Sequence, residues 1–307
     1  MGNDSDVGPW GQCRNFRGRG AAAGRVLHVL TAGAKRRPDH ADDSHQHGHL
    51  VRHQQHANGD ELRHDSHDAD TSASAPAPAP KPTPHASAPA PTAPINASLV
   101  GRVVSRIPTS RRVVALTFDA GANGDGVGSI LATIAREKVA ATFFLTGDFV
   151  NSFPALAVRM SAAGRLGNHT ASHPHLPTLT DAQVMTQVTS TRATFLRVTG
   201  EDPRPLFRFP FGDSGPRDLR MVNDLGYVAV GWTVDTLGWQ GTSGGRSVDS
   251  VVQRVLAAAT PGEIVLMHVG SHPTDHSTLD ADSLPRVIAG LRAAGYSFVT
   301  LDALGAR

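Results

Sequence analysis

From residue 113 onward, short apolar runs alternate with segments of helical spacing, and this alternation constrains the fold more than any other feature. The first unit is "VVALTFDAGANGDGVGSIL", Val113 to Leu131. Its mostly apolar opening, rich in β-branched residues, suits a strand covered on both faces. The run ends on Asp119, glycines then permit a tight turn, and "SILATIAREK" takes up helical spacing. "AATFFLTG" reads as a second strand, followed by a helical pattern through "FPALAVRMSAAG". Further helices are expected over Asp181 to Thr199, around Asp218 to Leu225, over Val248 to Ala259, and in "LPRVIAGLRAAG" from Leu284. "EIVLMHVG" and "YSFVTL" read as strands, with "LFRFPFG" and "YVAVGWTVDTLGW" between. Strands alternating with helices predict an α/β fold with a parallel sheet or barrel.

Polar residues recur where these strands end: Asp119, His169, Arg208, Asp235 and His268. In α/β folds chemistry collects at that edge. Taken alone, Asp119 reads equally well as a turn or capping aspartate, but five such residues in successive units suggest one shared rim. His169 and His173 in "HTASH" are spaced so that one helical turn brings both imidazoles within reach of one zinc ion. Thr170 stands where a zinc-protease HExxH motif needs glutamate, so that reading fails. Pro174 and Pro177 limit the segment to a turn or a single helical turn.

Residues 1–94 differ in kind. They hold ten of the 16 histidines, and 39–70 is nearly all His, Asp, Arg, Gln and Gly. Such a segment buries too little apolar surface to offset its ordering entropy. "SASAPAPAPKPTPHASAPAPTAP" reads as an extended spacer. The expected organisation is therefore a disordered His-rich and Pro/Ala-rich tail and linker, 1–94, before one folded domain, 95–307. His45, His47 and His49 alternate along the tail, a pattern that binds zinc, nickel or copper with modest affinity, so a metal-sequestering role is one alternative. The net charge of +2 is too small to argue for nucleic acid. Cys13 is the lone cysteine, which excludes an internal disulfide. No segment is long and apolar enough to span a bilayer, and Arg25 interrupts the nearest approach to a signal peptide.

With these residues in view, the C-terminal domain resembles the polysaccharide deacetylase family, the NodB-homology domain of carbohydrate esterase family 4. Five motifs resemble the family's in order: "TFDAG", "HTASH", "RFPFG", "DTLGW" and "IVLMHVG". The resemblance implies a distorted or incomplete (β/α) barrel and a divalent metal, zinc with cobalt as a second candidate. It implies Asp119 as general base, His169 and His173 as metal ligands, Arg208 as the residue orienting the base, and His268 as general acid. Arg208 would also shape one groove wall, Asp235 and Trp239 would stand beside the catalytic histidine and the sugar, Pro210 would bind substrate, and Leu266 would lie in the pocket for the acetyl methyl.

Two departures from the pattern stand out. Ala120 occupies the position of the family's third metal ligand, and Gly238 that of the second aspartate of the fourth motif. The metal would then be held by the two histidines with waters, or with Asp119 or Asp125 turned toward it. The resemblance implies a metal-dependent hydrolase removing acetyl groups from N-acetylated, or O-acetylated, polysaccharide such as peptidoglycan or a chitin-like glycan. It also implies an extracellular or cell-wall location and a monomer. A degenerate domain that binds glycan without turnover is the other alternative.

Overall fold

The computed structural model describes residues 96–305. The tail expected over 1–94, its histidines and Cys13 lie outside the described residues. Nine strands form one sheet in which every strand pairing is parallel. In chain order the elements are β1 (Val103–Val104), β2 (Val113–Ala120), α1 (Val127–Glu137), β3 (Ala141–Leu145), α2 (Gly147–Ser152), α3 (Pro154–Ala163), β4 (Arg165–Asn168) and α4 (Asp181–Thr199). There follow β5 (Leu206–Phe207), α5 (Pro216–Asp224), β6 (Val228–Val230), β7 (Val234–Asp235), α6 (Val248–Ala258), β8 (Glu263–His268), α7 (Leu279–Ala293) and β9 (Ser297–Phe298). Neighbouring strands run β1-β6-β5-β4-β3-β2-β8-β7, with β9 against β2. This is a curled parallel half-barrel with its helices: the parallel sheet follows the alternation, and the incomplete (β/α) barrel is the form that the motif resemblance implies.

The pleat sorts the central strands into two faces. Leu116, Phe118 and Ala120 of β2, with Val265 and Met267 of β8, join one apolar cluster with α1, α3, α6 and α7. Ala115 of β2, Phe144 of β3 and Ile264 of β8 point the other way, into a second cluster closed by Leu99, Ile107, Leu301 and Leu304. Asp119, Leu266 and His268 follow the period of that second face. One register therefore sends the polar strand ends to the same side.

Two segments depart from the sequence expectation. β4 is legible only weakly because "RLGN" has a single large apolar residue and Gly167 packs directly under Phe144, where a Cβ would come within 2.5 Å of the ring. Helix α7 begins at Leu279, well before Leu284, and carries Pro285 inside it. Proline favours a helix start, so a reading that takes Pro285 as the boundary leaves Asp280 in a loop. Asp280 is instead in the first turn.

Candidate active site

Asp119 ends β2 and is 4% exposed. Its Oδ1 accepts a 2.6 Å hydrogen bond from Nη1 of Arg208, which follows β5 and is fully buried. The guanidinium also donates to the carbonyls of Val230 and Gly231 and lies 4.1 Å from the Phe144 ring centroid. Arg208 is thus fixed on several sides and forms a buried ion pair with Asp119.

The other oxygen, Oδ2, lies 3.5 Å from Nε2 of His169. His169 Nδ1 is 2.9 Å from the Arg208 carbonyl, which can only accept, so Nδ1 carries the proton and Nε2 presents its lone pair. Burial pushes the His169 pKa below its ordinary value, keeping the ring neutral. His173 is pushed down to about 2, by burial and then by the neighbouring His169. The two rings meet edge to face with centroids 4.7 Å apart.

The histidines sit on a bent loop, and the helical turn allowed by their spacing does not form. Thr170 (φ 68°) and His173 (φ 61°) take left-handed conformations that cost non-glycine residues about 1 kcal/mol or more each. Side chains from elsewhere hold this shape. Asn168 Oδ1 accepts from Thr170 N–H, while its Nδ2 donates to the Val188 carbonyl and Tyr227 Oη. Gln187 Oε1, on α4, accepts from the N–H groups of Ala171 and Ser172. Phe211 lies between His173 and His175, stacked on the latter at 3.9 Å. Phe211 lies within the "RFPFG" motif and Asn168 immediately precedes His169, whereas Gln187 and Tyr227 carry no local sequence signal.

The opposite wall comes from β7, β8 and α7. His268 pairs in register with Asp119 across β2 and β8, so the two side chains share a face one strand apart. Leu266, two residues earlier on that face, is 2% exposed and pairs with Asp235. Trp239 Nε1 donates to Asp235 Oδ2 at 3.3 Å, and its ring centroid lies 6.4 Å from that of His268. Burial raises the Asp235 pKa, while His268 and the Leu237 N–H oppose the shift. Burial works against a charged His268, yet Asp280, Asp119 and Asp235 outweigh it and leave its pKa raised. Pro210 is buried on the other side of the rim, with the partly exposed Phe211 beside it.

The structure thus gathers Asp119, His169, His173 and Arg208 on one side, and Asp235, Trp239, Leu266 and His268 on the other. A match to the family model "Polysaccharide deacetylase" spans residues 106–230. A Bacillus cereus peptidoglycan-N-acetylglucosamine deacetylase is 33% identical over 198 residues, 64% of this chain and 70% of that protein. The chain belongs to the polysaccharide deacetylase family. A Sinorhizobium fredii chitooligosaccharide deacetylase is 32% identical over 62% of this chain and 87% of its own length. A Bacillus anthracis family 4 pseudoenzyme, solved as a mutant with restored enzymatic activity, is similar with a TM-score of 0.61 at 27% identity, covering 66% of this chain and 71% of that one.

Deacetylases of this family depend in general on a divalent metal. The donor chemistry here suits one: two neutral imidazoles, and a lone-pair nitrogen facing a carboxylate oxygen, a contact that a cation relieves. The protein set is nonetheless thin. Among the described residues no three His, Cys, Asp or Glu side chains form a group able to hold a metal ion. Ala120 is 1% exposed, within the helix-side apolar cluster. Asp125 accepts from Ser271 Oγ at 2.5 Å.

Proposed function

We propose that this polysaccharide deacetylase family member is a metal-dependent hydrolase that removes acetyl groups from an N-acetylated glycan of peptidoglycan or chitin-like type. One observation carries the reading: Asp119 and His268 stand in register on adjacent strands, with Asp119 clamped by the buried Arg208. That placement supports a base and an acid serving one bond between them.

His169 and His173 are the residues that would hold the metal. When bound, a divalent ion such as zinc or cobalt polarises an acyl oxygen and acidifies water. Arg208 occupies Oδ1 of Asp119, leaving Oδ2 to accept a proton from the attacking water. His268 gives a proton to the departing amine nitrogen; acetate leaves and the sugar keeps a free amine. Leu266 lines an apolar place for the acetyl methyl. Trp239, fixed by Asp235, flanks the sugar on one side, and Pro210 with Phe211 on the other. No covalent intermediate is needed. A glycan substrate of this kind places the protein outside the cell or in the wall; among the described residues no helix is long and apolar enough to cross a membrane.

A binding-only domain is the second reading, favoured by Ala120 and by the similar fold of a pseudoenzyme. Acetate release across acetylated chitin oligomers, peptidoglycan and acetylxylan separates the two. Release from at least one N-acetylated polymer is expected, and silence on all of them leaves only binding.

A further inference from the structure

Gly238 has no left-handed backbone, so its conformation does not demand glycine. Space does. A Cβ built there would lie 2.3 Å from Oδ1, 2.7 Å from Cγ and 3.1 Å from Oδ2 of Asp280, and these are its three nearest neighbours. Asp280 reaches this point from the first turn of α7 and is 3% exposed. Its carboxylate is tied down closely: Oδ1 accepts from Thr236 Oγ1 at 2.6 Å, and Oδ2 from the His268 backbone N–H at 2.8 Å. Thr236 Oγ1 in turn accepts from the Gly238 N–H at 3.3 Å. Oδ2 also lies 3.7 Å from Nδ1 of His268.

We propose that Asp280 is the positioning residue for His268, and that its carboxylate fills the volume a side chain at position 238 would otherwise take. The motif resemblance expects an aspartate at 238; here the carboxylate arrives from another element, and glycine is what makes room. Asp280 touches no reacting atom. It anchors the backbone at 268 and faces Nδ1, so that Nε2 is the ring nitrogen turned to the scissile bond. A residue that merely caps α7 would need neither the contact with Nδ1 nor the vacancy at 238. The inference rests on the reading of His268 as proton donor.

The test is a cycle of four proteins: wild type, Asp280→Ala, Gly238→Asp, and the double variant. Three readouts are kinetics of acetate release, melting temperature with metal content, and the 15N signals of the His268 ring. Asp280→Ala should lower kcat about 10–100-fold, the usual scale for a lost supporting hydrogen-bond partner, with KM and metal content little changed. Gly238→Asp should melt lowest, since two carboxylates then claim one space. The double variant should melt well above Gly238→Asp, recover most of the lost kcat, and return the ring signals toward wild type. A double variant no more active than Asp280→Ala, or a Gly238→Asp protein that melts like wild type, overturns the proposal. If wild type releases no acetate, the deacetylase reading fails instead, and the melting and ring signals still decide whether 238 and 280 share one volume and orient His268.

Discussion

Both walls of the candidate site lack a carboxylate that the motif resemblance expects, and among the described residues only the β7–β8 wall places another carboxylate at the position concerned. On the β7–β8 side, Gly238 leaves a gap that the Asp280 carboxylate fills, with two hydrogen bonds and a ring nitrogen at 3.7 Å. On the β2–β4 side, Ala120 turns into the helix-side cluster, and among the described residues no third ligand side chain joins the two histidines; Asp125 is engaged with Ser271. The difference follows from what surrounds each position. The Asp280 carboxylate beside position 238 meets the Thr236 hydroxyl and the His268 N–H, whereas position 120 belongs to the same apolar cluster as Phe118, Val127 and Phe149. A relocated charge survives where hydrogen-bond partners already wait for it.

The largest expected effect breaks the repaired wall. His268→Ala should lower turnover about 10²–10⁴-fold, the range for losing a general acid or base, while metal content stays at the wild-type level. Loss of metal in that variant would move His268 to the other wall. Next comes the unrepaired wall. Ala120→Asp places a carboxylate in the apolar cluster, and in the presence of a chelator should cost about 2–5 kcal/mol of stability by denaturant titration. An unchanged midpoint would mean that the turn at 120 readily redirects the side chain toward the histidines.

The smallest effect uses the far end of β8 as a control. Glu263 is fully buried, and neither carboxylate oxygen has a hydrogen-bond partner among the described residues. Burial raises its pKa from 4.5 to about 7. The folded state then holds the proton more tightly than the unfolded chain, so stability falls as pH rises from about 4.5 to 7 and stays reduced above. Glu263→Gln should therefore raise stability by about 1–3 kcal/mol at pH 8 and hardly at all at pH 4. A gain independent of pH would show that packing, and not charge, sets the cost. Glu263 is what Asp280 would be without Thr236 and the His268 N–H.

Much of this was legible in sequence because strands of a parallel sheet are apolar throughout and stop on polar residues. Asp119, Arg208 and His268 each announce themselves as the first charged or imidazole group at the end of such a run. His169 and His173 were legible as a pair, but not as a loop. Their geometry depends on Asn168 and on Gln187, which reaches back from α4. Asp280 was hidden for a different reason. "TLDADSLP" looks like an ordinary acidic approach to a helix opening at a proline, and only the three-dimensional contact with position 238 shows its use.

Turnover against added metal tests the account most directly. Protein stripped of metal and titrated with zinc should release acetate from an N-acetylated glycan in a saturable manner. With two imidazoles as the proposed protein ligands, a mild chelator should abolish that release and further zinc or cobalt restore it. Release that ignores both chelator and metal would contradict the role given to His169 and His173, and no release at saturating metal would contradict the deacetylase itself.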